Sequence, residues 1–276
     1  MDENLDLYTF LNGSCPFLTK LIGPDFKNWQ SINHRYKQRI EHINRELTLQ
    51  PSITIETTIY DLIVMANEGD LIASKYLKYI NHLFQTIHKK IPTYLEKKFI
   101  KSIEPLLLNF DERSSKYQNV IGEYSALLKI LSLDEINYDL INIEYPLTNG
   151  KFADFNIKET TSGNNLLIEI YNIHVKERMI KSEEELETFL IGRIQSKVND
   201  KLKGLDNNLI KSKFVVLPIL WCNLGEMKLY ETFFEKFGDR NRGINCFAFG
   251  QTRDEDGEIN FIFDSMKNLL KDLKTD

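Results

Sequence analysis

The chain has 276 residues, 42% of them hydrophobic, enough for one large core or two of ordinary size. Its formal net charge of −5 argues against a protein that coats nucleic acid through bulk positive charge. It leaves room for an enzyme whose bound cations supply positive charge at the site. Cys15, Cys222 and Cys246 lie far apart with no Cys-x-x-Cys pair, which points away from a zinc ribbon or a disulfide framework and suits a reducing compartment.

The first residues, Met1-Asp-Glu-Asn-Leu-Asp, are acidic where a secretory leader is basic. The longest apolar run, residues 214–222, is too short to span a bilayer. The expectation is a cytoplasmic protein with no membrane partner.

Residues 1–110 carry the helical period with little strand signal, and are expected to form a helical N-terminal domain. Trp29, Ile32, Tyr36, Ile40 and Ile43 recur at spacings of three and four. Residues 62–80 repeat the pattern through Leu71, Tyr76, Leu77 and Ile80, and Pro92 opens a further helix over 94–102. Residues 88–101 are the clearest basic stretch. There Lys89, Lys90, Lys97, Lys98 and Lys101 interleave with Tyr94 and Phe99, a mixture that suits nucleic-acid backbones and bases. A solvated helix face is the plainer alternative. Neither His34/His42 nor His82/His88 has the i, i+4 spacing of a helical metal site.

The texture changes over 111–276. An amphipathic helix over 117–131 places Val120, Tyr124, Leu127, Leu128 and Leu131 on one face. Strands follow at 138–145, 152–157 and 166–173. A long helix over 183–205 is opened by Ser182, with Glu185 three residues on in the capping-box pattern. Then come a buried strand at 213–221, a helix at 226–237, strands at 244–249 and 258–263, and a C-terminal helix. The core order α-β-β-β-α-β-α-β describes an α/β domain on a mixed sheet.

Two acids stand out within the strands. Asp154 lies in Lys151-Phe-Ala-Asp-Phe-Asn-Ile157 and Glu169 in Leu166-Leu-Ile-Glu-Ile-Tyr171, with the turn-forming Ser162-Gly-Asn-Asn165 between them. A lone carboxylate inside an apolar run is costly. Two of them on neighbouring strands relieve that cost by sharing a divalent cation, for which oxygen ligands suit Mg²⁺. The alternative is a pair of ordinary strand residues on a half-solvated sheet.

The element order, with acids at these positions, resembles the PD-(D/E)XK nuclease superfamily, the restriction-endonuclease-like fold, over residues 117–250. That family carries a glutamate on the first core helix, an aspartate on the second strand and an acid-x-Lys motif on the third. Glu123, Asp154 and Glu169 hold the three acid positions here. The resemblance implies Mg²⁺ or Mn²⁺ held by Asp154, Glu169 and the backbone carbonyl of Ile170, with Glu123 completing the shell. It implies hydrolysis of phosphodiester bonds, in DNA more than RNA, and fits a role in defence against foreign DNA.

One position departs from the motif: Tyr171 stands where the family has lysine, and tyrosine brings no positive charge to the transition state. At 100° per residue, Lys201 falls on the face made by Ile194, Val198 and Leu205, with Lys197 at its edge one turn earlier. A lysine on a sheet-facing stripe needs an anionic partner, so Lys197 and Lys201 are candidate replacements, with Lys158 a further one and Lys176 a weaker one; separately, Gln195 could reach the substrate and His174 could act as a general base where the chain bends. The rival expectation is a catalytically inactive nuclease-fold module that binds nucleic acid or a protein.

Overall fold

The computed structural model describes residues 6–23, 29–50, 56–110, 116–133, 136–174, 182–205, 214–221, 246–253, 258–266 and 268–269. The chain divides into two compact units, Met1–Tyr124 and Ser125–Asp276. The division falls within a helix of the 111–276 stretch rather than ahead of it.

Among its described residues the first unit is helical throughout: α1 (Leu7–Ser14), α2 (Pro16–Ile22), α3 (Trp29–Leu49), α4 (Ile59–Asn67), α5 (Leu71–His88), a 3₁₀ turn (Thr93–Leu95), α6 (Glu96–Leu108) and the larger part of α7 (Lys116–Ile130). The single pattern over 62–80 is in fact two helices. Gly69, at φ +97°, reverses the chain, and Asp70 caps α5 by accepting from the Ala73 N–H. The helical period hides the break because the reversal takes only three residues. Thr58 and Asp61 form a reciprocal capping box on α4. Asp61 also accepts from Tyr36 Oη at 3.1 Å and from Arg39 Nη2 at 2.9 Å, which ties α4 to α3 through an almost fully buried guanidinium. Leu7, Leu11, Ile32, Tyr60, Phe84 and Phe99 are wholly enclosed at the centre of this unit.

The second unit is α/β, built on one six-stranded sheet. β1 (Tyr138–Pro146), β2 (Phe152–Glu159), β3 (Asn165–His174), β4 (Phe214–Trp221), β5 (Phe247–Arg253) and β6 (Ile259–Ser265) lie side by side in chain order. β3 pairs parallel with β4 and β4 with β5, while the other neighbours are antiparallel. The sheet is therefore mixed. A parallel β3–β4 pair requires a crossover, and α8 (Glu183–Leu202) lies on it. Ser182 caps α8 through the Glu185 N–H at 3.2 Å. The helix stops earlier than its sequence pattern, at Leu202, because Gly204 takes φ +83°. The expected helix over 226–237 lies outside the described residues. Among those described, no helix is long and apolar enough to cross a membrane.

Candidate metal and phosphate site

The far end of α8 is fastened to the β1–β2 turn. The Asn149 amide donates to the carbonyls of Lys201 (2.9 Å) and Lys203 (3.0 Å), satisfying acceptors that the helix end leaves open. Lys151 Nζ pairs with Asp200 Oδ1 at 2.6 Å. Beneath them Leu202 and Leu205 pack with Leu147, Leu167 and Phe214. These contacts fix both the rotation and the height of α8 over the sheet, and so aim its lysines.

Both lysines reach Glu169 on β3. Lys197 Nζ is 3.2 Å from Oε1 and Lys201 Nζ is 2.8 Å from Oε2. One helical turn separates the two stems, so each ammonium takes one oxygen of the same carboxylate. The Glu169 side chain is 2% exposed and that of Lys201 14%, so this is a buried ion cluster. Lys201 approaches closely but not along hydrogen-bond directions, and the buried Oε2 is left without a directed donor. Lys197 also lies 5.7 Å from the centre of the Tyr171 ring.

Asp154 completes the group from β2. The β2–β3 ladder runs from Lys158↔Asn165 to Phe155↔Ile168 and stops there. One step further, the same register would set Asp154 opposite Glu169, and the two carboxylates are near enough to repel one another. The Ile170 N–H, which a continued ladder would give to Ala153, goes instead to Asp154 Oδ2 at 2.6 Å. In an extended strand a residue's N–H and C=O point the same way, so the Ile170 carbonyl faces the gap between the strands too. The aspartate has thus opened the ladder.

Electrostatics follow from this crowding. Burial, and then the neighbouring Glu169 carboxylate, push the Asp154 pKa up to about 7, against the opposing pull of the Ile170 N–H, Lys201 and Lys197. For Lys197, partial burial works against the ammonium, but Glu169 outweighs it, with Asp154 and Tyr171 adding, so its pKa rises above the ordinary lysine value.

Asp154, Glu169, Ile170, Lys197 and Lys201 therefore meet in the second unit. Glu123 is half-buried on α7, in the stretch that belongs to the first unit. Lys158 is exposed beside the Gly163 turn, Gln195 is exposed on α8, and Lys176 lies outside the described residues. His174 stacks on Trp221 across β3 and β4, with ring centres 5.8 Å apart. Lys89, Lys90, Lys97, Lys98 and Lys101 are all exposed, in the first unit. The sequence reading missed two features. Neither Asn149 nor Lys151, which anchor α8, stands out in the sequence. Asn156, two residues along β2 from Asp154, is 5% exposed with Oδ1 unpartnered; an amide inside an apolar strand was the available signal.

The donor set suits a hard divalent cation. Two carboxylates on neighbouring strands supply the hard oxygen donors, provided that Asp154 releases the proton it holds to near neutral pH and that the lysines yield the Glu169 oxygens they now pair with. Among the described residues no three of His, Cys, Asp and Glu come together, so other ligands would have to be backbone, water or substrate oxygens. No protein-family model matches the chain, and neither the characterised proteins nor the solved structures yield a significant match.

Proposed function

We propose that the second unit is a metal-dependent phosphodiesterase domain of the PD-(D/E)XK type, acting on nucleic acid, with DNA favoured by the family resemblance. The observation that carries this is the pairing of both Glu169 oxygens with lysines from α8. Tyr171 leaves the motif's charge missing from the strand, and the next helix supplies it from the adjoining face. Asp154, Glu169 and the Ile170 carbonyl would hold Mg²⁺ or Mn²⁺. When bound, such an ion lowers the pKa of its water and offsets charge on the phosphoryl group. Lys197, the more exposed of the two at 37%, would turn from Glu169 to a non-bridging phosphate oxygen as the substrate arrives. Lys201, deeper in the site, would keep the Glu169 carboxylate aligned. Asp154 would give up its proton as the cation site fills.

A second reading, an inactive module that binds nucleic acid or a protein, is favoured by one observation. Both ammoniums are already engaged by Glu169, which is what a site that had lost its metal would retain. Incubation with plasmid, single-stranded DNA and RNA, with Mn²⁺ or with chelator, separates the two. Metal-dependent cleavage lost in Glu169→Gln supports the nuclease. Intact substrates in every condition support the binding module.

A further inference from the structure

The first unit carries a feature that phosphodiester hydrolysis does not explain. Residues 88–101 hold five lysines against one acid, in a chain whose net charge is −5. That acid, Glu96, is turned back on His88, with Oε1 3.3 Å from Nε2. The lysines are all exposed. Among them stands Tyr94, 69% exposed, against 52% for Phe152, the other exposed phenylalanine, tyrosine or tryptophan ring among the described residues.

Local structure holds Tyr94 outward. Pro92 precedes a 3₁₀ turn closed by the Leu95 N–H on the Pro92 carbonyl at 2.8 Å. Leu95 (4% exposed) and Phe99 (0%) anchor the next helix into the core, and the His88 ring packs between Phe17 (5.5 Å) and Phe99 (6.0 Å). With Leu95 and Phe99 inward, the complementary stripe is Tyr94, Lys97, Lys98 and Lys101, at the i, i+3, i+4, i+7 spacings of one helix face. Phe99, which the sequence alone grouped with Tyr94 as a stacking surface, is core. The stripe is about 10 Å long, roughly three stacked nucleotides.

We infer that this stripe binds single-stranded nucleic acid, with Tyr94 stacking on a base and Lys97, Lys98 and Lys101 tracking the phosphates. An exposed ring amid ammoniums fits a polyanion that carries flat faces. A duplex offers its phosphates but keeps its base faces stacked inside. A purely anionic partner would use the lysines and leave the ring idle.

The test is fluorescence anisotropy on the full chain in chelator, which keeps the outcome separate from any hydrolytic activity. The probes are labelled oligo-dT, a duplex of equal length, and heparin, which has charge but no bases. Tyr94→Ala should weaken oligo-dT binding about five-fold or more, the effect of losing one stacked base. Tyr94→Phe should bind as wild type, and heparin binding should be unchanged in both. Lys97→Gln/Lys98→Gln should weaken oligo-dT and heparin alike and flatten the salt dependence by about 0.7 per lost phosphate contact. Equal binding of oligo-dT by wild type and Tyr94→Ala overturns the inference, as does preference for the duplex or for heparin.

Discussion

Replacing Asp154 with asparagine should make the cation-free protein more stable above neutral pH. The folded-state pKa of Asp154 is about 7, against an ordinary value of 3.8. The gap is about 3 units, or roughly 4 kcal/mol at about 1.4 kcal/mol each. Between those two values the folded chain keeps a proton that the unfolded chain has released. Stability contributed by the protonated acid is therefore complete below about pH 4 and lost as pH rises toward about 7. Asparagine does not titrate, and its amide oxygen can still accept from Ile170 N–H. The variant should match wild type near pH 4 and exceed it by a few kcal/mol near pH 8, with about 4 as the ceiling. Urea unfolding in chelator, in a Trp29→Phe background so that Trp221 reports on the second unit alone, measures the difference at each pH. A difference that does not change with pH, or a variant less stable than wild type at pH 8, would refute the crowded-carboxylate reasoning.

Other perturbations probe the remaining parts. Lys197→Met should reduce cleavage at least about 100-fold, near 2.7 kcal/mol of transition-state stabilisation, with folding little affected because the side chain is partly exposed; wild-type turnover would sink the migrated-lysine idea. Lys201→Met should lower stability by about 1–3 kcal/mol, less than the roughly 3–5 expected for a wholly unpaired buried charge, because Lys197 still serves Glu169. A double variant, Lys197→Met with Tyr171→Lys, returns the charge to the strand and should recover part of the lost cleavage. In the first unit, Asp61→Ala should cost about 3–5 kcal/mol by stranding the buried Arg39, read as a lower urea midpoint from Trp29 fluorescence.

Much of the site could be read from the chain because its parts lie on regular elements. Asp154 and Glu169 flank a recognisable turn, so their placement on neighbouring antiparallel strands followed from pairing two short strands. Lys201 was visible as a charge on an apolar helical stripe, and the carboxylate that the stripe required is Glu169. Three things were hidden. Period counting ran α4 and α5 together because Gly69 and Asp70 interrupt the pattern too briefly to disturb it. The anchoring of α8 by Asn149 and Lys151 was equally opaque, since turn residues owe their roles to partners some fifty positions away. The opening of the β2–β3 ladder was beyond reach for a related reason. A side chain that takes over a backbone bond leaves no mark on the alternation of polar and apolar residues.

If Asp154 and Glu169 form a cation site, as proposed for the second unit, calorimetric titration of the full chain with Mn²⁺ detects it. Repeating it near pH 6 in buffers of different ionisation enthalpy counts the protons released. One ion should bind, with close to one proton released near pH 6 and far fewer near pH 8, because the Asp154 carboxyl must ionise to become a ligand. Asp154→Asn and Glu169→Gln should both abolish the heat. Saturable Mn²⁺ binding that survives in either variant, or no binding by wild type, would contradict the claim.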